Sequence, residues 1–154
     1  RYSAVETVLT IVSMLFVGFI EEIIFRGFLF RAIARKREKL AIVLSSLTFG
    51  LGHIVNLLNG ADLLQTLLQI GYAVAIGYLF TIIFIRTKSL LPCIITHGTL
   101  NALSVFSLES TPGQDIVTSS ILVIISIGYA VYLSKDMKKV AQIGFGSLSI
   151  ERDT

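Results

Sequence analysis

Five apolar runs, each close to the length of a membrane-spanning helix, are the feature that most constrains how this 154-residue chain folds. A spanning helix needs about 20 mostly apolar residues. The runs cover approximately residues 8–30, 40–58, 63–85, 90–108 and 116–133. Charged residues make up 15% of the chain, against about 25% in a soluble domain. Because the alternating polarity of a membrane β-barrel is absent, the sequence predicts an all-α, multi-spanning transmembrane helical bundle of about five helices.

Basic residues occur only in alternate segments between these runs. "RAIARKREKL" (31–40), "RTKS" (86–89) and "KDMKK" (135–139) are basic, whereas "NGAD" (59–62) and "ESTPGQD" (109–115) contain no Lys or Arg. Since cytoplasmic loops carry the excess of Lys and Arg, we expect a transmembrane core over residues 1–134 and a cytoplasmic C-terminal tail over 135–154. The short loops favour a bacterial plasma membrane. The start at Arg1 rather than Met predicts further helices before this sequence.

The net charge of +3 does not indicate a nucleic-acid partner. The basic residues lie between apolar runs and form no groove interleaved with aromatic residues, so membrane lipids are the partners that this charge predicts.

The single cysteine, Cys93, excludes an internal disulfide and a multi-cysteine zinc site, and it is predicted to be inert packing. Further residues are predicted to make contacts between helices or to mark their ends: Asn56, Gln65 and Gln69 as hydrogen-bonding residues, Gly71/Ala75 and Ala73/Gly77 as close-packing pairs, Pro92 at a helix start and Pro112-Gly113 in a turn.

Charged residues interrupt the first apolar run at "GFIEEIIFRG" (18–27). A charged side chain at the centre of a membrane helix costs about 2.5–3.5 kcal/mol on insertion scales. Glu22 and Arg26 are four residues apart, so they lie on one helical face and are predicted to form an intrahelical ion pair. Glu21 lies about 100° around the helix. It therefore needs a partner from another helix.

Candidate partners for Glu21 lie in two other apolar runs. His53 and His97 are the only histidines in the chain, and Asn101 follows His97 on the same helical face. At 1.5 Å per residue from the nearest basic segment, Glu21 and His97 lie at a depth of about 14 Å, and His53 and Asn101 at about 20 Å. Three helices of alternating direction thus place their polar residues in one slab of the membrane. This placement predicts a shared intramembrane site.

Several chemistries are compatible with these residues. A carboxylate can take a proton from water, a histidine can orient that water, and a His/Asn pair can donate hydrogen bonds to an oxyanion, which together suffice for amide hydrolysis. Glu21, His53 and His97 could instead hold Zn²⁺, because two His and one Glu with an open position form a catalytic ligand set. A proton or ion transporter could also use such a relay, although no inverted repeat is visible.

Three short motifs follow one another on successive apolar helices: Glu21-Glu22-x-x-x-Arg26, Phe49-x-x-x-His53 and His97-x-x-x-Asn101. In order, spacing and placement they resemble the motifs of the CAAX protease and bacteriocin-processing family, over approximately residues 15–108. Members of that family are intramembrane endopeptidases, including type II CAAX prenyl proteases and bacterial immunity-type (Abi) proteins. The resemblance implies a hydrolase that cleaves a peptide or membrane-protein substrate.

The resemblance also implies a role for each motif residue. Glu21 would activate water with assistance from His53, and His97 with Asn101 would form the oxyanion hole. The remaining motif residues would support the site: Glu22 and Arg26 through ionic contacts and Phe49 by packing beside His53. The family is customarily named as metalloproteases, with Glu21, His53 and His97 as the metal candidates here, but we favour a metal-free mechanism over Zn²⁺. A non-catalytic bacteriocin-immunity or scaffold protein of the same fold is the alternative function.

Overall fold

A computed structural model of the chain describes residues 3–107 and 110–136 in full, together with the helical backbone of 137–150. Within these residues the chain forms five helices and no strand, which confirms the predicted all-α bundle. We number the helices in chain order: α1 (Ala4–Ala34), α2 (Glu38–Leu58), α3 (Leu63–Thr87), α4 (Leu91–Ser104) and α5 (Pro112–Ile150). Residue 108 of the fourth apolar run, residue 109 of the segment that follows it, and residues 151–154 of the predicted tail lie outside the described residues.

Four of the described helices are long and apolar enough to cross a membrane, namely α1, α2, α3 and the Pro112–Asp136 part of α5. The structure differs from the prediction in the fourth run, because α4 has only 14 residues. Its length of about 21 Å falls short of the roughly 30 Å hydrocarbon core. The hydroxyl of Ser104 donates to the carbonyl of Asn101 at 2.7 Å, and the chain turns immediately afterwards.

The basic segments lie together at one end of the bundle, which we call the basic end. The guanidinium of Arg31 lies 5.1 Å from the ring centroid of Phe84, near the end of α3. Arg86, two residues further on, forms an ion pair with Asp136 of α5. At the opposite end, Gln65 of α3 donates to Asp115 of α5 at 3.2 Å. Helices α3 and α5 therefore run in the same direction, as the alternation of basic segments predicts.

Helix α3 lies at the centre of the fold, with α2 on one side and α5 on the other, while α4 packs mainly against α1. Near the basic end a buried cluster joins four helices and consists of Phe30, Ala41, Phe80, Phe84 and Cys93. A second apolar cluster joins α3 to α5 and contains Ile82, Ala130 and Leu133. Cys93 is buried, as predicted. The expected interhelical contacts of Gln65 and Asn56 are also present, the latter through a 2.8 Å hydrogen bond to Gln69.

Glycines allow two pairs of helices to approach closely. A Cβ added to Gly18 of α1 would lie 2.8 Å from the backbone nitrogen of Gly98 in α4, and one added to Gly50 of α2 would lie 2.8 Å from that of Val74 in α3. In contrast, Gly71 has no atom within 4 Å of such a Cβ. The predicted close-packing pattern on α3 is therefore correct for Ala73, Ala75 and Gly77, which are buried, but not for Gly71.

We expect Gly18→Ala to lower the free energy of unfolding by about 1–3 kcal/mol, the usual effect of overpacking a tight contact. The added methyl group meets backbone atoms of α4 that cannot rotate away, so α1 and α4 must separate. Gly71→Ala is the matched control, and it should be neutral or slightly stabilising. Unfolding in mixed detergent micelles measures both values. Equal stability of the two variants would contradict the close approach of α1 and α4.

Candidate active site

The charged motif of α1 lies where the helix changes its winding. The α-helical part ends at Glu22, and residues Ile23–Phe30 continue as a π-helix before α-helical geometry returns. The hydroxyl of Ser45 in α2 donates to the carbonyl of Phe25 at 3.0 Å and so satisfies a backbone acceptor in this segment. Single π turns within α-helices occur frequently at functional sites. Here the π segment carries Arg26 into the interior of the bundle.

Glu22 and Arg26 form the predicted ion pair, and both side chains are fully buried. Nη1 of Arg26 lies 2.9 Å from Oε1 of Glu22. Nη2 of Arg26 donates to the carbonyl of Gly77 in α3, also at 2.9 Å. The guanidinium lies over the ring of Phe49, 4.4 Å from its centroid, in a cation–π arrangement that is strengthened by the absence of water. The ion pair therefore also fixes α1 against α2 and α3.

His97 of α4 lies between the two carboxylates of α1. Its Nδ1 is 2.9 Å from Oε1 of Glu22, and its Nε2 is 3.3 Å from Oε2 of Glu21. Because an ionised carboxylate can only accept hydrogen bonds, Nδ1 carries a hydrogen and donates it to Glu22. This bond orients the ring and directs Nε2 towards Glu21. The partner that Glu21 requires from another helix is therefore His97.

His53 and Asn101 lie beside His97 at a cavity, and Glu21 is not among the residues that line it. His53 lies in the 3₁₀ turn Gly52–Ile54 of α2, where its Nδ1 is 3.2 Å from the carbonyl oxygen of Phe49. The ring of Phe49 lies edge-on to both His53 and His97, with centroid distances of 5.6 and 5.3 Å. Both histidines and Asn101 line a cavity of about 360 Å³. In the part of the chain that the structure describes, Glu21 and His53 form no hydrogen bond.

The proposed metal ligands do not form a ligand set. Among the described residues, no group of three or more His, Cys, Asp or Glu side chains is arranged to hold a metal ion. Of the three candidates, Glu21 contacts His97. The polar contact of His53 is instead with the carbonyl oxygen of Phe49. The arrangement of these side chains therefore does not fit the zinc alternative.

Two residues of the site were not identified from the sequence. The carbonyl of Gly77 accepts from Arg26 and also from the hydroxyl of Thr81. A Cβ on Gly77 would lie 2.9 Å from Cδ1 of Phe49 and 3.3 Å from Nη2 of Arg26. Phe80, one turn away, packs against His97 with a centroid distance of 5.7 Å. The Ala73-x-x-x-Gly77 spacing indicated close packing at this position, but nothing in the sequence pointed to Arg26 as its neighbour.

These observations define an integral membrane protein of the all-α class with ionisable residues from two helices in contact within the bundle. Residues 3–103, well over half of the chain, match the family described as Type II CAAX prenyl endopeptidase Rce1-like. The chain belongs to this family, which confirms the resemblance carried by the three motifs. Neither a curated protein nor a solved structure matches the chain.

Proposed function

We propose that the protein is an intramembrane endopeptidase in which Glu21 activates the water that hydrolyses a peptide bond. The observation that carries this proposal is the contact between Glu21 and Nε2 of His97, because His97 lines the same cavity as His53 and Asn101. Membership of an endopeptidase family supports it. By the positive-inside rule, the proposal places the basic end, with the start of the tail over 135–154, at the cytoplasmic face.

The two adjacent carboxylates lie in different environments, which suits them to different roles. Glu22 is fully buried and paired with Arg26, so it is held as a fixed acceptor for His97. The side chain of Glu21 is 31% exposed and contacts only His97 among the described ion-pair partners. A general base must reach the water whose proton it removes. Glu21 is therefore the base, and Glu22 is a positioning residue.

The reaction then follows from the placement of these groups. The oxygen of water, oriented by His53, adds to the carbonyl carbon of the substrate while its proton passes to Glu21. Asn101 and Nε2 of His97 donate hydrogen bonds to the resulting oxyanion. Once Glu21 has accepted the proton, it no longer competes for the Nε2 hydrogen. The C–N bond breaks as the intermediate collapses, and Glu21 returns the proton to the leaving amine.

A direct test incubates the purified protein in liposomes with a library of synthetic single-span peptides in H₂¹⁸O. Hydrolysis predicts new peptide ends whose carboxylate contains one ¹⁸O, detected by mass spectrometry. A transporter or a non-catalytic scaffold would yield no such products, and that result would overturn the proposal.

We expect Asn101→Leu to slow product formation by about 10²–10³-fold, the usual effect of removing one oxyanion donor. The substitution preserves the approximate size of the side chain but removes the amide hydrogens that stabilise the intermediate. Asn59→Leu, in the exposed turn after α2, is the matched control and should retain the wild-type rate. Initial rates in the liposome assay provide the measurement. Equal rates for the two variants would exclude Asn101 from the oxyanion hole.

A further inference from the structure

We infer that water reaches the candidate active site from the end of the bundle opposite the basic segments, through a passage between α3 and α5 that polar side chains line in part. The inference deepens the proposed function, on which it rests, by assigning a route to the water that hydrolysis consumes. It also implies that the peptide bond is hydrolysed by water from the face opposite the basic end.

The passage consists of two adjoining cavities. The cavity of about 360 Å³ beside His97 shares Gln69, Tyr72 and Leu122 with a second cavity of about 480 Å³. The second cavity extends towards the opposite end and is lined there by Gln65 of α3 and Asp115 of α5. Because Gln65 and Tyr72 are seven residues apart, they lie on one face of α3 and are separated by about 10 Å along the helix. The two cavities thus lead from the helix ends to His53, His97 and Asn101.

Polar side chains line part of the passage, although both helices are long and apolar enough to span the membrane. Thr118 and Ser119 of α5 face Gln65 and Gln69 of α3 across the second cavity. Polar side chains of this kind can each bind a water molecule and so support a hydrated path. Nearer the basic end the contact between the same two helices becomes apolar, through Ile82, Ala130 and Leu133. Polar side chains thus line the contact between α3 and α5 only towards the end opposite the basic segments. The passage therefore opens at that end.

The basic end of the site is closed by side chains that cannot conduct water. The ring of Phe80 packs against His97, and beyond it lies the buried cluster that Phe80 forms with Phe30, Ala41, Phe84 and Cys93. Four of its five members are fully or almost fully covered aromatic or aliphatic side chains, and the fifth, Cys93, donates its hydrogen to the carbonyl of Phe80. Water arriving through the interior of the bundle from the basic end would have to cross this cluster. The passage between α3 and α5 avoids it.

Cysteine labelling tests the outer half of the passage, in protein whose native cysteine is removed by Cys93→Ala. Ser119→Cys places a thiol in the second cavity. Ser126→Cys is the matched control, because it lies two turns further on the same face of α5 and has a similar exposed fraction, 4% against 8%. A small, charged, membrane-impermeant thiosulfonate should modify Ser119→Cys on the order of tenfold faster or more, since the reacting thiolate forms only where water is present. Equal rates would overturn the inference.

Ala73→Cys tests the inner half of the passage, because Ala73 lines the 360 Å³ cavity. Ala75→Cys is the matched control, because Ala75 is equally buried at 3% but lines neither cavity. Only Ala73→Cys should react, and adding Leu122→Trp at the junction should slow it on the order of tenfold by blocking the hydrated path to the thiol. Reaction should be faster in right-side-out than in inside-out vesicles. Faster reaction in inside-out vesicles, or no effect of Leu122→Trp, would overturn the route. Labelling requires no turnover, so these failures are distinct from a failure of the proposed hydrolysis.

Discussion

Glu21→Gln is expected to lower the rate of peptide cleavage by about 10²–10⁴-fold, the contribution typical of a general base. The amide has nearly the shape of the carboxylate and can keep the contact with Nε2 of His97, but it cannot accept the proton of water. Because Glu21 is partly exposed and Glu22 retains the contact with Nδ1 of His97, the fold should be preserved. Initial rates in the ¹⁸O liposome assay, together with unfolding in micelles, provide the measurement.

Glu6→Gln supplies a matched control for this prediction, since it makes the same change on the same helix. Glu6 accepts from the backbone of Ser3 at 2.8 Å in a capping box at the start of α1, and glutamine can replace it there. Its cleavage rate should equal that of the wild type. If Glu21→Gln cleaved at the wild-type rate while Glu22→Gln did not, the assignment of Glu21 as base and Glu22 as positioning residue would be reversed.

The convergence of the motif residues could be predicted from the sequence because polar groups in apolar helices have few favourable environments. The high energy of burying a charge predicted that Glu22 would pair with Arg26 and that Glu21 would find a partner on another helix. Depth along each helix then placed His97 at the level of Glu21. The structure confirms both contacts. It does not show a direct bond between Glu21 and His53 in the described chain, so the role of His53 stays a prediction.

Features that depend on the backbone could not be predicted in the same way. The π-helix at Ile23–Phe30 has no sequence signal, because its residues are as apolar as those of the preceding α-helical turns. The early end of α4 was missed since the apolar pattern continues beyond Ser104. Pro112 was interpreted as part of a turn, but it begins α5, where its missing N–H has no cost. In each case the local amino-acid composition gives no signal, because the feature lies in the hydrogen bonding of the backbone.

Arg26→Met should lower the free energy of unfolding by about 3–5 kcal/mol, because it leaves a buried carboxylate without its positive partner. Glu22 is fully buried, and its second oxygen, Oε2, has no hydrogen-bond partner among the described residues even with Arg26 present. Removing Arg26 also leaves the carbonyl of Gly77 without its bond from Nη2. Methionine fills a similar volume between the rings of Phe49 and Phe80, so the effect reports the lost charge rather than a cavity. Unfolding in mixed detergent micelles measures it.

Two further variants separate the charge from the packing. Arg86→Met removes the same side chain from a partly exposed pair with Asp136, and it should cost less than about 1 kcal/mol. The double variant Glu22→Gln with Arg26→Met should recover most of the stability lost in Arg26→Met, since no unpaired charge remains buried. The glutamine carbonyl can still accept from Nδ1 of His97, which keeps the ring oriented. If the double variant were as unstable as Arg26→Met alone, packing rather than the buried ion pair would hold α1, α2 and α3 together at the site.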